Sequence, residues 1–295
     1  MNLSLPRSFP IAKAALAAAV ITCAFALACS LIGCASGGTD SSSADAGNTS
    51  VSTDGKTLRV AMELAYPPFE TKDDAGNPEG LAVDFIRDFG AAYGYDVQIE
   101  NTAWDGLIPS LQSDKADLVI SSMTITDERK QSVDFSDAYA MAQLAILANA
   151  DSGVASIDDL NQPGKKVAVK TGSTGDVYAT KNLTNAEIVR LADESACVTE
   201  VVQGKADGFL YDQLTIYRNH QANPDTTEAV FIPFQDAEEW GIAVKKGNTE
   251  LLDQLNAFIA QSKTDGEFDR LTEKYLADEK KAFDQYGFKW FFDFE

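Results

Sequence analysis

Leu118-Val119-Ile120-Ser121-Ser122-Met123-Thr124-Ile125-Thr126-Asp127-Glu128-Arg129 decides the fold. An apolar run turns abruptly into hydroxyls, and then into an acidic segment opened by a threonine. That pattern predicts a strand over Asp117–Ser121, a polar loop, and a helix capped by Thr126 with acids in its first turn. Three other segments end in the same way. Val60-Ala61-Met62-Glu63 leads to Tyr66, Val167-Ala168-Val169-Lys170 leads to Gly172-Ser173-Thr174-Gly175, and Gly208-Phe209-Leu210-Tyr211 ends at Asp212. In an open α/β sheet, ligands sit in the crevice beyond the carboxyl ends of the strands. One fixed cation and one fixed anion at such ends suit a zwitterion.

Outward from these segments, short apolar runs alternate with amphipathic ones, the mark of α/β organisation. Leu81, Phe85, Phe89 and Ala92 share a helix face after the turn Asp73–Pro78, and Val97–Asn101 reads as a strand. Leu107 and Leu111 mark the next helix. Ala142–Leu147 and Trp240–Val244 each read as one strand. Leu251, Leu255, Phe258 and Ile259 share a face, as do Phe268, Leu271 and Tyr275. A core of about 240 residues is large for one sheet. The expected architecture is two lobes, each a mixed sheet flanked by helices, joined by a hinge of two strands. Lobe 1 is 57–141 with 240–295, and lobe 2 is 142–239.

The amino terminus reads as an export signal. Arg7 and Lys13 precede the apolar run Ala14–Gly33, and Leu31-Ile32-Gly33-Cys34 resembles the bacterial lipobox, with cleavage before a cysteine that takes lipid. A retained membrane helix is the alternative for a run of this length. On the lipobox reading 1–33 is a signal peptide and 34–56 is the lipidated Cys34 with a disordered tether. That tether is too poor in apolar residues to order itself and reaches roughly 25 Å. The protein is then extracytoplasmic and anchored to a bacterial membrane, at the cell surface or in the periplasm. Cys23 and Cys29 leave with the signal, so Cys197 is the only other cysteine and no internal disulfide is available. It falls in a helical stretch, Asp193–Gln203, as a small core residue.

The net charge of -21 becomes about -23 once Arg7 and Lys13 are removed, which argues against nucleic-acid partners. The single histidine, His220, lies in a polar stretch, so neither a His-based catalytic site nor a metal site is expected and no cofactor is implied.

At the candidate site, free N–H groups at the helix after Thr126 suit an anion, and Arg129 adds a planar fork matched to a carboxylate. Gly172-Ser173-Thr174-Gly175 repeats the device before a helix at Asp176–Lys181; it is not a Walker loop, because no Gly-Lys-Ser/Thr follows. Asp212 can accept from an ammonium group or cap the helix Gln213–Arg218. Tyr66 and Trp104 can stack on a solute side chain or pack in the core.

These segments resemble family 3 solute-binding proteins of ABC importers, the group that binds polar amino acids. The resemblance covers roughly Thr57 to Leu276. It rests on Tyr66-Pro67-Pro68-Phe69, Trp104-Asp105-Gly106-Leu107-Ile108-Pro109-Ser110-Leu111, Ser121–Arg129, Val133-Asp134-Phe135-Ser136-Asp137-Ala138-Tyr139 and Gly164-Lys165-Lys166-Val167-Ala168-Val169. Ala82 stands where the family usually has an acid, while Asp84 keeps the second acid of that motif. The resemblance implies a type II periplasmic-binding-protein-like fold, a monomer that delivers its solute to a permease, and no catalysis. It implies that Arg129, Ser122, Thr124 and Thr174 hold a ligand carboxylate, with Ser121 and Ser173 also among the ligand-binding residues. Asp212 holds the ammonium, Tyr66 and Trp104 flank the side chain, and Glu63 and Lys170 touch its far end. Glutamine or cystine satisfies both of the last two, and a basic amino acid fits if Lys170 turns away. An enzyme on the same fold, a cyclohexadienyl or arogenate dehydratase with Glu63 and Lys170 as acid and base, is the rival reading. The aromatic tail, Phe288 with Trp290, Phe291, Phe292 and Phe294, packs on lobe 1 or meets a partner.

Overall fold

Val60 and Met62 face one apolar cluster and Ala61 faces another, so the first strand is covered on both sides, as expected of a strand inside a parallel sheet. Helix Leu81–Tyr93 covers the first side and helix Leu107–Gln112 the second. Val167 and Val169 against Ala168 repeat the arrangement in the second sheet.

The structure, a computed structural model, describes residues 55–286 and 289–294. The signal peptide 1–33, Cys34, the tether up to residue 54 and Phe288 lie outside the described residues. The strands, in chain order, are β1 (Lys56–Met62), β2 (Thr71–Lys72), β3 (Pro78–Glu79), β4 (Tyr95–Asn101), β5 (Leu118–Val119), β6 (Val133–Phe135) and β7 (Ala140–Ala142). Then come β8 (Leu144–Asn149), β9 (Lys166–Lys170), β10 (Glu187–Leu191), β11 (Gly208–Asp212), β12 (Thr227–Val230), β13 (Glu238–Trp240) and β14 (Ala243–Lys245).

One five-stranded sheet has the order β4-β1-β5-β14-β6 and the other β10-β9-β11-β8-β12. They share a plan. Three parallel strands (β4, β1, β5 and β10, β9, β11) are followed by antiparallel pairings through β14 or β8. The architecture is the expected two-sheet mixed α/β one.

The hinge explains where the sequence reading differs. Ala142–Leu147, expected as one strand, belongs to two, because the chain breaks at Gln143 between β7 and β8. The Gln143 backbone N–H is taken up by Gln213 Oε1 instead of a ladder partner. Trp240–Val244 likewise splits into β13 and β14 around Gly241. Among the named strands β7 and β13 pair with each other, Glu238 opposite Ala142 and Trp240 opposite Ala140, while Trp240 also bridges to Thr124. An apolar run looks continuous in sequence whether or not its ladder changes sheets.

The tail packs inward. Phe291 is fully buried, 5.1 Å from the Phe69 ring and 5.5 Å from Trp240, and its carbonyl accepts from Met141 N–H at 2.7 Å. Phe292 stacks on Phe268 at 4.6 Å. Cys197 is buried in helix Glu194–Val202, where desolvation pushes its thiol up to about 12. His220 sits in the last turn of helix Gln213–Ala222. Asp84 Oδ2 accepts from Lys274 Nζ at 2.6 Å and Tyr275 O–H at 2.8 Å, tying helix Leu81–Tyr93 to helix Glu267–Tyr275.

Candidate functional site

The four strand ends meet in one cleft. Glu63, Tyr66, Trp104, Ser121, Ser122, Thr124 and Arg129 line it from the first sheet, and Ser173, Thr174 and Asp212 from the second. Lys170 joins them through an ion pair to Glu63 that crosses between the sheets. All eleven residues singled out from the sequence are therefore brought together. The space left among them is small, about 40 Å³.

β5 supplies the hydroxyls. Ser121 Oγ accepts from Glu63 N–H at 3.0 Å, locking the end of β1 to the end of β5. Ser122 adopts φ 47°, an uncommon value for a residue with a Cβ and one that such sites tolerate. Its hydroxyl donates to Glu70 Oε2 at 3.2 Å. Thr126 caps the following helix as expected, accepting from Arg129 N–H at 3.2 Å. That helix is only one turn, Asp127–Lys130, so its dipole adds little. The positive charge of this corner comes from Arg129 itself. Its Nη1 donates to the Thr124 carbonyl at 2.7 Å and its Nη2 to the Gly172 carbonyl at 3.1 Å, reaching from one sheet to the loop of the other. Burial pulls its pKa down, yet guanidinium stays charged in proteins.

Trp104 is a platform for two cations: Arg129 lies 5.2 Å and Lys170 5.3 Å from its ring centre. Its backbone N–H donates to Glu63 Oε1 at 3.3 Å. Glu63 thereby has a partner for each oxygen, and Lys170 is nearly inaccessible.

In the second sheet, Ser173 Oγ accepts from Asp176 N–H at 3.2 Å and caps helix Thr174–Asn182. Gly175 lets that helix lie against β11, since a Cβ there would stand 2.4 Å from the Leu210 carbonyl oxygen. Asp212 takes its capping role too: Oδ1 accepts from Leu214 N–H at 2.9 Å and Thr215 N–H at 3.1 Å. The same oxygen accepts from Tyr66 O–H at 2.7 Å. Burial raises the Asp212 pKa against the pull of these donors. Tyr66 is buried, stacked on Phe69 at 5.6 Å, with its hydroxyl pushed well above the usual phenol range by desolvation and then by Asp212. Its ring packs in the core and also lines the cleft.

Three acids of this region gave no signal in the sequence. Glu70, just past Phe69, is 1% exposed, and burial pushes its carboxyl well above the usual range. Glu194 opens the helix carrying Cys197. Desolvation, then Asp212, pushes it up to about 8. Glu238, the first residue of β13, lines the cleft and accepts from both Thr124 and Thr174. Each is a polar residue beside a turn or element end, a placement shared by most solvated acids.

Two mixed α/β sheets joined by a two-strand hinge, with charged groups of both signs at their facing ends, define a two-lobed solute-binding protein. Residues 58–278 match the bacterial extracellular solute-binding proteins, family 3, and the chain belongs to that family. A probable histidine-binding protein of Neisseria gonorrhoeae is 36% identical over 87% of this chain and 95% of its own length. The L-cystine-binding protein TcyJ of Escherichia coli K12 is 32% identical over 75% of this chain and 82% of its own. Among solved structures, an ancestral amino acid-binding protein described as a precursor of cyclohexadienyl dehydratase superposes with a TM-score of 0.68. It is 38% identical and covers 74% of this chain and 94% of that one. The amino acid-binding proteins of ABC importers are thus the group in which this chain falls.

Proposed function

We propose that this chain is the receptor of an amino acid importer, lipid-anchored through Cys34 outside the cytoplasm. It captures a polar amino acid as lobe 1 (57–141 and 240–295) and lobe 2 (142–239) close, and delivers it to an ABC permease. The observation that carries this reading is the convergence of Arg129, Thr124 and Thr174 with Asp212 in one buried cleft drawn from both sheets. Arg129 with the hydroxyls of Ser122, Thr124 and Thr174 receives the α-carboxylate. Asp212, whose three donors all fall on Oδ1, offers Oδ2 to the α-ammonium. Trp104 and Tyr66 flank the side chain.

Glu63 and Lys170 face its far end already paired. A distal group that both donates and accepts fits between them: the amide of glutamine, the imidazole of histidine, or the second zwitterion of cystine. Arginine and lysine require Lys170 to swing away. Support for the anchor is the sequence Leu31-Ile32-Gly33-Cys34.

A thermal-shift screen against the amino acids and cystine tests this, since a solute bound only by the folded chain raises the melting temperature. A flat screen contradicts it. The dehydratase reading draws on the description of the ancestral neighbour; turnover of prephenate or arogenate would establish it in place of binding.

A further inference from the structure

Glu238 stands in the hinge, opposite Ala142 of the paired strand. Its Oε2 accepts from Thr124 Oγ1 at 3.0 Å and from Thr174 Oγ1 at 2.7 Å. Its Oε1 accepts from Gln235 Nε2 at 2.7 Å, and the Gln235 carbonyl accepts from Gln143 Nε2, also at 2.7 Å. The Arg129 guanidinium feels the Glu238 charge. Thr124 comes from the loop after β5 in the first sheet, and Thr174 from the helix after β9 in the second. A carboxylate of the protein itself therefore sits on one hydroxyl from each side of the cleft, held from behind by the hinge glutamines.

We propose that Glu238 is an internal stand-in for the solute carboxylate, clasping the shut cleft until an incoming carboxylate displaces it. This rests on the reading of Arg129, Thr124 and Thr174 as the carboxylate seat. The argument is electrostatic and steric. Two carboxylates cannot share two hydroxyls and one guanidinium without strong repulsion in a cleft of low dielectric. The cleft leaves only about 40 Å³ of free space, and Glu238 already occupies the two hydroxyls that a solute carboxylate would take. A solute must break the Glu238 contacts before making its own, so its apparent affinity is reduced by the fraction of chains whose seat is free. A solute lacking a carboxylate gains nothing from displacing Glu238 and is rejected. The hinge strand thus contributes to specificity as well as to motion.

The test is calorimetric titration of L-histidine, L-glutamine and L-cystine into the full chain and into its Glu238→Ala and Glu238→Gln variants. Thermal melts check that both variants fold. Glu238→Ala should bind the same amino acid about tenfold more tightly than the unaltered chain. Glu238→Gln, which keeps an acceptor but loses the charge, should fall between. A purely structural role for Glu238 would not produce a gain. Unchanged or weaker binding by Glu238→Gln, with the unaltered chain binding, overturns the stand-in role alone. Failure of the unaltered chain to bind any amino acid, arginine and lysine included, removes the carboxylate seat and this inference together.

Discussion

The Tyr66 hydroxyl donates to Asp212 Oδ1 at 2.7 Å, joining the loop after β1 to the end of β11 and so one sheet to the other. The tyrosine ring is anchored in the first sheet's core by Phe69 and Trp240, while Asp212 is fixed by the two N–H groups of the helix it caps. Neither partner can follow the other without moving its own sheet. The bond therefore ties the two sheets together across the cleft.

Tyr66→Phe removes that bond and leaves both cores intact. A hydrogen bond to a charged group contributes about 1.5–3 kcal/mol, so the unfolding free energy in urea should drop by about that amount. The unbound chain should also become less compact in small-angle scattering. No change in either measurement would mean that the bond contributes nothing to closure.

Lys170 is nearly inaccessible to solvent and Glu63 is mostly covered, so removing one member strands the other. Lys170→Met should destabilise the chain by about 3 kcal/mol, and adding Glu63→Gln should restore most of the loss. Urea unfolding of the two single variants and the double variant checks this. Additive losses would show that the two charges are not coupled.

The buried acids set a pH dependence. Glu194 is raised from 4.5 to about 8, so between those values the folded chain holds a proton that the unfolded chain releases. The unfolding free energy must then fall as pH rises through this window. Glu70 and Asp212, both raised by burial, push in the same direction. Chemical unfolding at pH 5, 6, 7 and 8 should give decreasing stability, and Glu194→Gln should flatten the slope. A rise in stability over this range would contradict the placement of these acids.

Much of this site was legible because strand ends announce themselves. An apolar run that stops at Glu63, Ser121, Lys170 or Asp212 marks both the sheet and its polar edge, and these residues, with those added by the family resemblance, reach one cleft. The caps at Thr126, Ser173 and Asp212 were readable for the same local reason. What hid was set by distance. The breaks at Gln143 and Gly241 depend on which sheet each half joins, and no short window encodes that. Glu238 matters through Thr124 and Thr174, both far from it in sequence, and the one-turn length of helix Asp127–Lys130 is fixed by the return into β6.

Arg129 reaches the Gly172 carbonyl across the cleft and cannot be replaced by a neighbour of like charge, since Lys170 is engaged with Glu63. Arg129→Ala should weaken amino acid binding about a hundredfold, about 3 kcal/mol, as measured by calorimetry. An unchanged affinity would remove Arg129 from the site.

Calorimetric titration of L-histidine, L-glutamine and L-cystine, each beside its decarboxylated and its deaminated analogue, reads both ends of the grip at once. The account predicts that at least one amino acid binds, and that losing either charged group weakens it about a hundredfold or more. An analogue without the carboxylate or the ammonium that binds as well as its parent would contradict it.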